Sequence, residues 1–317
     1  MSFKISQLTE NDIQLVQVTD EATGTYIQIA PAYGAMLHAL TVKNKEGWHN
    51  VIDNYSSKEQ IVAELAMSYK SSKLSPFVCR INEGKYKYEG ALFEFENKFL
   101  DGTAIHGLLF NKPFVLVDEF ADDEQGSVVF KYNYKEETEG YPFFYRCEIR
   151  YTLLPQSVVQ LQTTIINLDD LVLPIADGWH PYFTLGGLVD DYDLFFNTEG
   201  KLEFDNKLLP TGKTIGYREF AEEKKIGTAS FDNCFVLVQD ESVPACTIYN
   251  EATGLGVELY PDNSYPFLQV YTPPHRKSIA IENLSAAPDA FNNKIGLLLL
   301  PPRHTHSFTT HYKVICS

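Results

Sequence analysis

Arginine and long apolar runs are both scarce in this chain, and each scarcity removes a class of function. There are six arginines against 20 lysines, and 42 acidic residues outweigh 26 basic ones, for a formal net charge of -16. So acidic a surface repels nucleic-acid phosphates and anionic membranes, so neither is expected as a partner. No apolar run approaches the roughly 18 residues that signal a membrane span. The N-terminal MSFKISQLTENDIQLVQV has no basic segment leading into an apolar one, so export is not expected either. The five cysteines, Cys79, Cys147, Cys234, Cys246 and Cys316, are odd in number and lack the close pairing of a zinc site. Free thiols in a reducing cytoplasm are expected, with no metal and no cofactor. No linker, charge block, low-complexity segment or internal repeat divides the chain, so residues 1–317 are expected to form one domain.

What the sequence does contain is period-two alternation. In SVVFKYNYKE, Val128, Phe130, Tyr132 and Tyr134 fall on one face and Lys131, Asn133 and Lys135 on the other. YRCEIRYTLL repeats the pattern through Tyr145, Cys147, Ile149, Tyr151 and Leu153. The turn residues PQS then lead into VVQLQTTII, which predicts an antiparallel pair. GLGVELY and SIAIENL alternate again near the C-terminus. Only SSKEQIVAELAMSYKSSK reads as a helix, with a serine before the run and Ile61, Leu65 and Met67 as its apolar side. Many short strands with one or two short helices predict an all-β fold, a large antiparallel β-sandwich.

Five residues are candidates for chemistry. In DGWHPYFTLGG, Pro181 holds His180 out of the helical region and cannot donate a ladder hydrogen bond. His180 therefore belongs at an edge, a bulge or a strand end, with Tyr182 on its own face and Trp179 and Asp177 on the opposite one. A core histidine bonded to backbone is the alternative. In IAIENLSAAPDAFNN, Glu282 shares a face with Ala280 and should be partly desolvated, which would raise its pKa and suit it to act as a base; a salt-bridged glutamate is the alternative. Arg80 lies in the turn-rich CRINEGKYKYEG. His106 precedes Gly107 in FLDGTAIHG, where the glycine permits close ligand approach; a solvated loop histidine is the alternative. Asp232, in SFDNCFVLV, stands just before an alternating strand, where a turn residue would do equally well.

Taken in order, Arg80-Ile81 with Gly84, His106-Gly107, His180-x-Tyr182-Phe183, Asp232, Gln269 to Thr272, and Glu282 with Pro288 to Asn292 resemble the aldose 1-epimerase (galactose mutarotase) family over nearly the whole chain. That resemblance implies a galactose mutarotase-like sandwich with its site on a concave sheet face. It makes Glu282 the general base and His180 the general acid, with Arg80, His106 and Asp232 as sugar ligands. The implied partner is a small-molecule aldose, and neither proton transfer needs a metal. With an ordinary pKa near 6.5, His180 is expected to exchange its proton around neutrality. The chain departs from the family in three places. Cys79 stands where asparagine is frequent, Leu108-Leu109-Phe110 follow His106-Gly107, and Pro301-Pro302 replace a terminal Pro-Gly. A hexose-6-phosphate 1-epimerase and a non-catalytic sugar-binding protein of the same fold remain alternatives.

Overall fold

The alternating stretches become strands in the computed structural model, which describes residues 2–96, 98–99 and 101–317. Gly126–Lys135, Phe144–Leu154 and Val158–Asn167 pair in sequence as antiparallel neighbours. Gln156 and Ser157 both take positive φ in the connection between the last two, the twist that a tight hairpin requires. These strands belong to a nine-stranded sheet that continues through Thr305–Cys316, Leu255–Pro261, Cys246–Asn250 and Asp193–Phe196 to the short edge Lys224–Lys225, with Val115–Ala121 at the other edge. Tyr145, Cys147, Ile149, Tyr151 and Leu153 are all fully buried, as the alternation predicts.

A second sheet runs in the order Pro210–Ile215, Thr198–Phe204, Asp232–Leu237, Phe267–Tyr271, Ile279–Leu284, Gly178–His180, Ser72–Leu74; Tyr182–Phe183 also pairs with Ile279–Leu284. One face of this sheet supplies Trp179, Leu268, Val270, Ile279 and Ile281 to a core shared with Ile149, Tyr151, Leu161 and Ile165 of the nine-stranded sheet. The fold is thus an all-β antiparallel sandwich, with an additional five-stranded N-terminal sheet formed by residues 3–50. All five cysteines are free, and four of them are buried. No helix among the described residues is long and apolar enough to cross a membrane.

The helix Lys58–Ser68 forms where expected, capped by Ser57, whose side chain accepts the Gln60 N–H. Gln60 reaches back to accept from the Ser56 N–H at 2.7 Å, so two donors at the helix start are satisfied reciprocally. Ile61 and Leu65, one turn apart, are buried, but Met67 is 73% exposed, which corrects its assignment to the apolar side. Two residues advance a helix by more than half a turn, so Met67 cannot share the face of Leu65.

Trp179 and Asp177 turn to the core side of the strand that carries His180. There Lys73, with no exposed surface, lies 2.5 Å from Asp177 Oδ2 and donates to Thr163 Oγ1 and the Gly178 carbonyl. The ammonium also sits 4.5 Å from the centre of the Trp179 ring. Tyr265 donates to Asp177 Oδ1, and the Asp177 N–H donates to Ser285 Oγ. Burial raises the Asp177 carboxyl, while Lys73 and Tyr265 act in the opposite direction. This network ties His180's strand to its neighbours from below.

Candidate active site

On the opposite face, strand register assembles the polar groups. Cys234 pairs with Gln269, and Gln269 with Glu282, so one row crosses three adjacent strands. Asp232 pairs with Tyr271, Tyr271 with Ala280 and Ala280 with Tyr182, which makes the neighbouring row. Ala280 is the small residue in that row, on the same face of the strand as Glu282. His180 ends its strand, paired to Ser72 on one side, and Pro181 interrupts the ladder before Tyr182 resumes pairing with the Glu282 strand. Of the three positions expected for it, His180 thus occupies a strand end. Its ring stacks on Tyr182 at 5.1 Å.

Arg80 and His106 reach the site from outside the sheet. The Arg80–Ile81 strand pairs with Ala104–Ile105, and the His106 N–H donates to the Cys79 carbonyl at 2.7 Å. Cys79 and His106 both take positive φ, an uncommon conformation for residues with a side chain that the surrounding contacts must hold in place. Gly107 answers to a steric demand: a Cβ there would lie 2.3 Å from the Ser75 carbonyl oxygen. The Pro288 to Asn292 segment buttresses Arg80 through its backbone. The Asp289 N–H donates to the Arg80 carbonyl, and Asp289 Oδ1 accepts from the Asn82 N–H and from Asn292. Asn82, two residues after Arg80, is therefore engaged in holding the loop.

All five sequence candidates line one cavity of about 200 Å³, together with Tyr69, Cys79, Tyr182, Gln269 and Tyr271. A larger cavity, about 910 Å³, adjoins it and shares Met67, Tyr69, Phe99 and Ile105, but none of the five candidates lines it. Deep in the smaller one, His180 Nε2 stands 3.3 Å from Glu282 Oε1, with the side chains only 6% and 2% exposed. His106 is also buried; its ring makes an edge contact with His180 at 4.9 Å and lies 4.6 Å from Tyr69. Asp232 sits exposed at the mouth and accepts a 2.8 Å hydrogen bond from Gln269 Nε2, and Arg80 is half-buried.

Burial governs the proton affinities. It pushes Glu282 well above the usual carboxylate range, with the Asp232 charge adding to the effect. It pushes His180 down to about 4 and His106 well below its ordinary value. The expectation that His180 would keep a pKa near 6.5 is corrected by this desolvation. Glu282 goes further than the partial desolvation expected of it. His106 Nδ1, His180 Nδ1, Gln269 Oε1 and Glu282 Oε2 are buried with no hydrogen-bond partner. Four orphaned polar atoms in one cavity mark a place built for a ligand, since buried polar groups are otherwise satisfied.

The sequence matches the aldose 1-epimerase family from residue 15 to 313. The chain belongs to the aldose 1-epimerase family. YihR of Escherichia coli K12, an uncharacterized protein, is 27% identical over 299 residues, covering 92% of this chain and 91% of YihR. In fold, this family member is similar to a galactose mutarotase-like protein of Clostridium acetobutylicum, with a TM-score of 0.87 at 17% identity over 100% of this chain and 99% of that one. It is also similar to the galactose 1-epimerase of Lactobacillus acidophilus, with a TM-score of 0.81 at 18% identity over 98% of each chain.

Gln269 is the site residue that reading for chemistry overlooked. It appears in the sequence only within the Gln-Val-Tyr-Thr resemblance, yet alternation in FLQVY already sets it on the face of Phe267 and Tyr271. A polar side chain alternating with Leu268 and Val270 was the available sign.

Proposed function

We propose that this family member interconverts the α and β anomers of a neutral hexose by general acid and base catalysis. The observation that carries this reading is the buried His180–Glu282 pair, 3.3 Å apart and open to the cavity. The hydroxyl oxygen and the ring oxygen of a hemiacetal are both bonded to C1, so an acceptor and a donor one hydrogen-bond length apart suit them. Glu282 takes the C1 hydroxyl proton while His180 gives a proton to the ring oxygen. The bond from C1 to the ring oxygen breaks, and C1 becomes an aldehyde. Rotation about C1–C2 exposes the other carbonyl face, and closure reverses both transfers.

The pair needs one proton in total, carried by Glu282 in one arrangement and by His180 in the other. Burial in the empty cavity favours the neutral arrangement, a protonated Glu282 beside an uncharged His180. Transfer of that proton across the pair yields the carboxylate and imidazolium that the reaction starts from. A bound sugar brings hydroxyl dipoles into the cavity and so lowers the cost of that charge separation. Arg80, Gln269, Asp232 and His106 supply donors and acceptors for the remaining hydroxyls. A protein that only bound sugar would need such groups but no matched acid and base.

A neutral sugar fits better than a phosphosugar. Arg80 is the only lysine or arginine among the described residues lining the cavity. The other five arginines are engaged elsewhere: Arg276 with Asp190, Arg303 with Asp170, Arg146 with Glu148, Arg150 with Asp118 and Arg218 with the Thr198 carbonyl. A phosphate dianion calls for a fixed cationic fork in addition to the groups that hold the ring. The free thiols accord with a reducing cytoplasm.

Polarimetry on freshly dissolved single anomers tests the reading directly. The expected result is faster equilibration of glucose or galactose, with a higher kcat/KM for glucose than for glucose 6-phosphate. No acceleration with any aldose sinks the epimerase assignment. A tenfold advantage for the phosphate, about 1.4 kcal/mol, sinks the neutral-sugar assignment alone.

A further inference from the structure

Cysteine spacing gave no reason to expect a metal, and His106, His180 and Glu282 are separated by 74 and 102 residues in the chain. Folding nevertheless brings one ligand-capable atom of each to within 4.8 Å of the others. Two imidazoles and a carboxylate are a donor set that zinc-class cations accept, with bonds of roughly 2.0–2.2 Å in tetrahedral arrangement. That geometry puts neighbouring donors roughly 3.4 Å apart, and the His180–Glu282 contact is 3.3 Å. The widest separation, 4.8 Å, exceeds this by about 1.4 Å, so binding calls for side-chain rotation.

Two further observations point the same way. All three side chains are more than nine-tenths buried, and Glu282 Oε2 has no hydrogen-bond partner. Arg80 is the single lysine or arginine among the cavity's described lining residues, and Asp232 adds a carboxyl group there, so little fixed positive charge opposes a dication.

We infer that His106, His180 and Glu282 form an inhibitory binding site for one zinc-class divalent cation. The cation and the sugar compete for the same groups, because a Glu282 and a His180 held by metal can neither accept nor give a proton. The site is reversible and not a resident metal centre: His106 Nδ1 and His180 Nδ1 lack the carbonyl or carboxylate partners that orient imidazoles in permanent sites. Occupancy by metal thus switches the acid and base off, and a chelator switches them on.

Only the activity arm of the test rests on the proposed epimerase function. Calorimetric titration of the chelator-stripped full chain with zinc chloride should give one saturable site. His106→Ala and Glu282→Gln should each weaken it by about tenfold or more, and His304→Gln, at an exposed histidine, should leave it unchanged. Absence of saturable binding, or an unaltered affinity in both site variants, overturns the inference. Should the variants fail to fold, anomalous scattering from zinc-soaked crystals of the unaltered chain decides: the cation lies between the three residues, or it lies elsewhere and the inference falls. Zinc should also abolish anomer interconversion, and EDTA should restore it. Loss of the epimerase assignment would leave the calorimetric and crystallographic arms intact.

Discussion

The strand Gly178–His180 and the residue before it divide two buried acid–base pairs, one on each side of the sheet. Below it, Lys73 forms a 2.5 Å ion pair with Asp177 Oδ2 and donates to Thr163 and the Gly178 carbonyl, while Tyr265 donates to Asp177 Oδ1 and Ser285 accepts from the Asp177 N–H. Above it, His180 and Glu282 have each other, and each keeps a buried atom with no hydrogen-bond partner. Composition does not separate these pairs, and neither does depth. Completeness does. A saturated pair fixes strands; an unsaturated one waits for a ligand and remains free to move its proton.

Rates provide the sharpest way to break that comparison. Glu282→Gln and His180→Asn should each slow anomer interconversion by about 10²- to 10⁴-fold, the usual worth of a positioned acid or base. Neither removes a saturated network, so unfolding free energy should move by no more than about 1.5 kcal/mol. Wild-type rates in folded Glu282→Gln would place the chemistry elsewhere.

The lower pair should behave in reverse. Lys73→Met leaves Asp177 charged and uncompensated in the core, at a cost of about 3–5 kcal/mol in urea unfolding. The double variant Lys73→Met with Asp177→Leu should regain most of that stability, since apolar replacements of similar volume often substitute for a buried pair. If the single and double variants lose equally, the network is held by packing and not by charge.

The smallest effect concerns pH. Unfolded, His180 is protonated up to about pH 6.5 and Glu282 is ionised above about 4.5. Folded, His180 loses its proton as pH rises through about 4, while burial makes Glu282 keep its proton to higher pH than in the unfolded chain. Between roughly pH 4.5 and 6.5 the two shifts therefore change proton binding in opposite senses and offset one another in stability. Each single variant should expose its partner. In Glu282→Gln the remaining His180 binds fewer protons folded than unfolded, so stability rises with pH across this window. In His180→Asn the remaining Glu282 binds more protons folded, so stability falls as pH rises. The limit in both is about 1.4 kcal/mol per pH unit relative to wild type. Chemical denaturation at pH 4.5, 5.5 and 6.5 reads both slopes; equal signs would show that the two groups are not desolvated as a pair.

Much of this arrangement could be read from the residues before any coordinates. Alternation in YRCEIRYTLL gave buried Tyr145 through Leu153, and alternation in DGWHPYF separated His180 from Trp179, because strand side chains point to opposite faces without exception. Ser57 announced a helix start by local hydrogen bonding. Met67 leaves the apolar side because helical facing depends on an angle, and two residues turn a helix by more than half a turn. The pKa of His180 departs from 6.5 because burial belongs to the surroundings and not to the imidazole.

The sequence alone determined which residue types were available and which face of its own strand each would occupy, since backbone stereochemistry settles that locally. Tertiary structure alone decided that Gln269 and Cys234 would line up beside Glu282, a matter of register between strands distant in the chain. It also decided that three residues spread over positions 106 to 282 would stand within 4.8 Å of one another. And it decided that, of two buried acid–base pairs on opposite faces of one sheet, one would be closed by a 2.5 Å ion pair and the other would line a cavity. Such facts depend on long-range pairing, where solvent is expelled and every hydrogen-bond partner comes from another part of the chain.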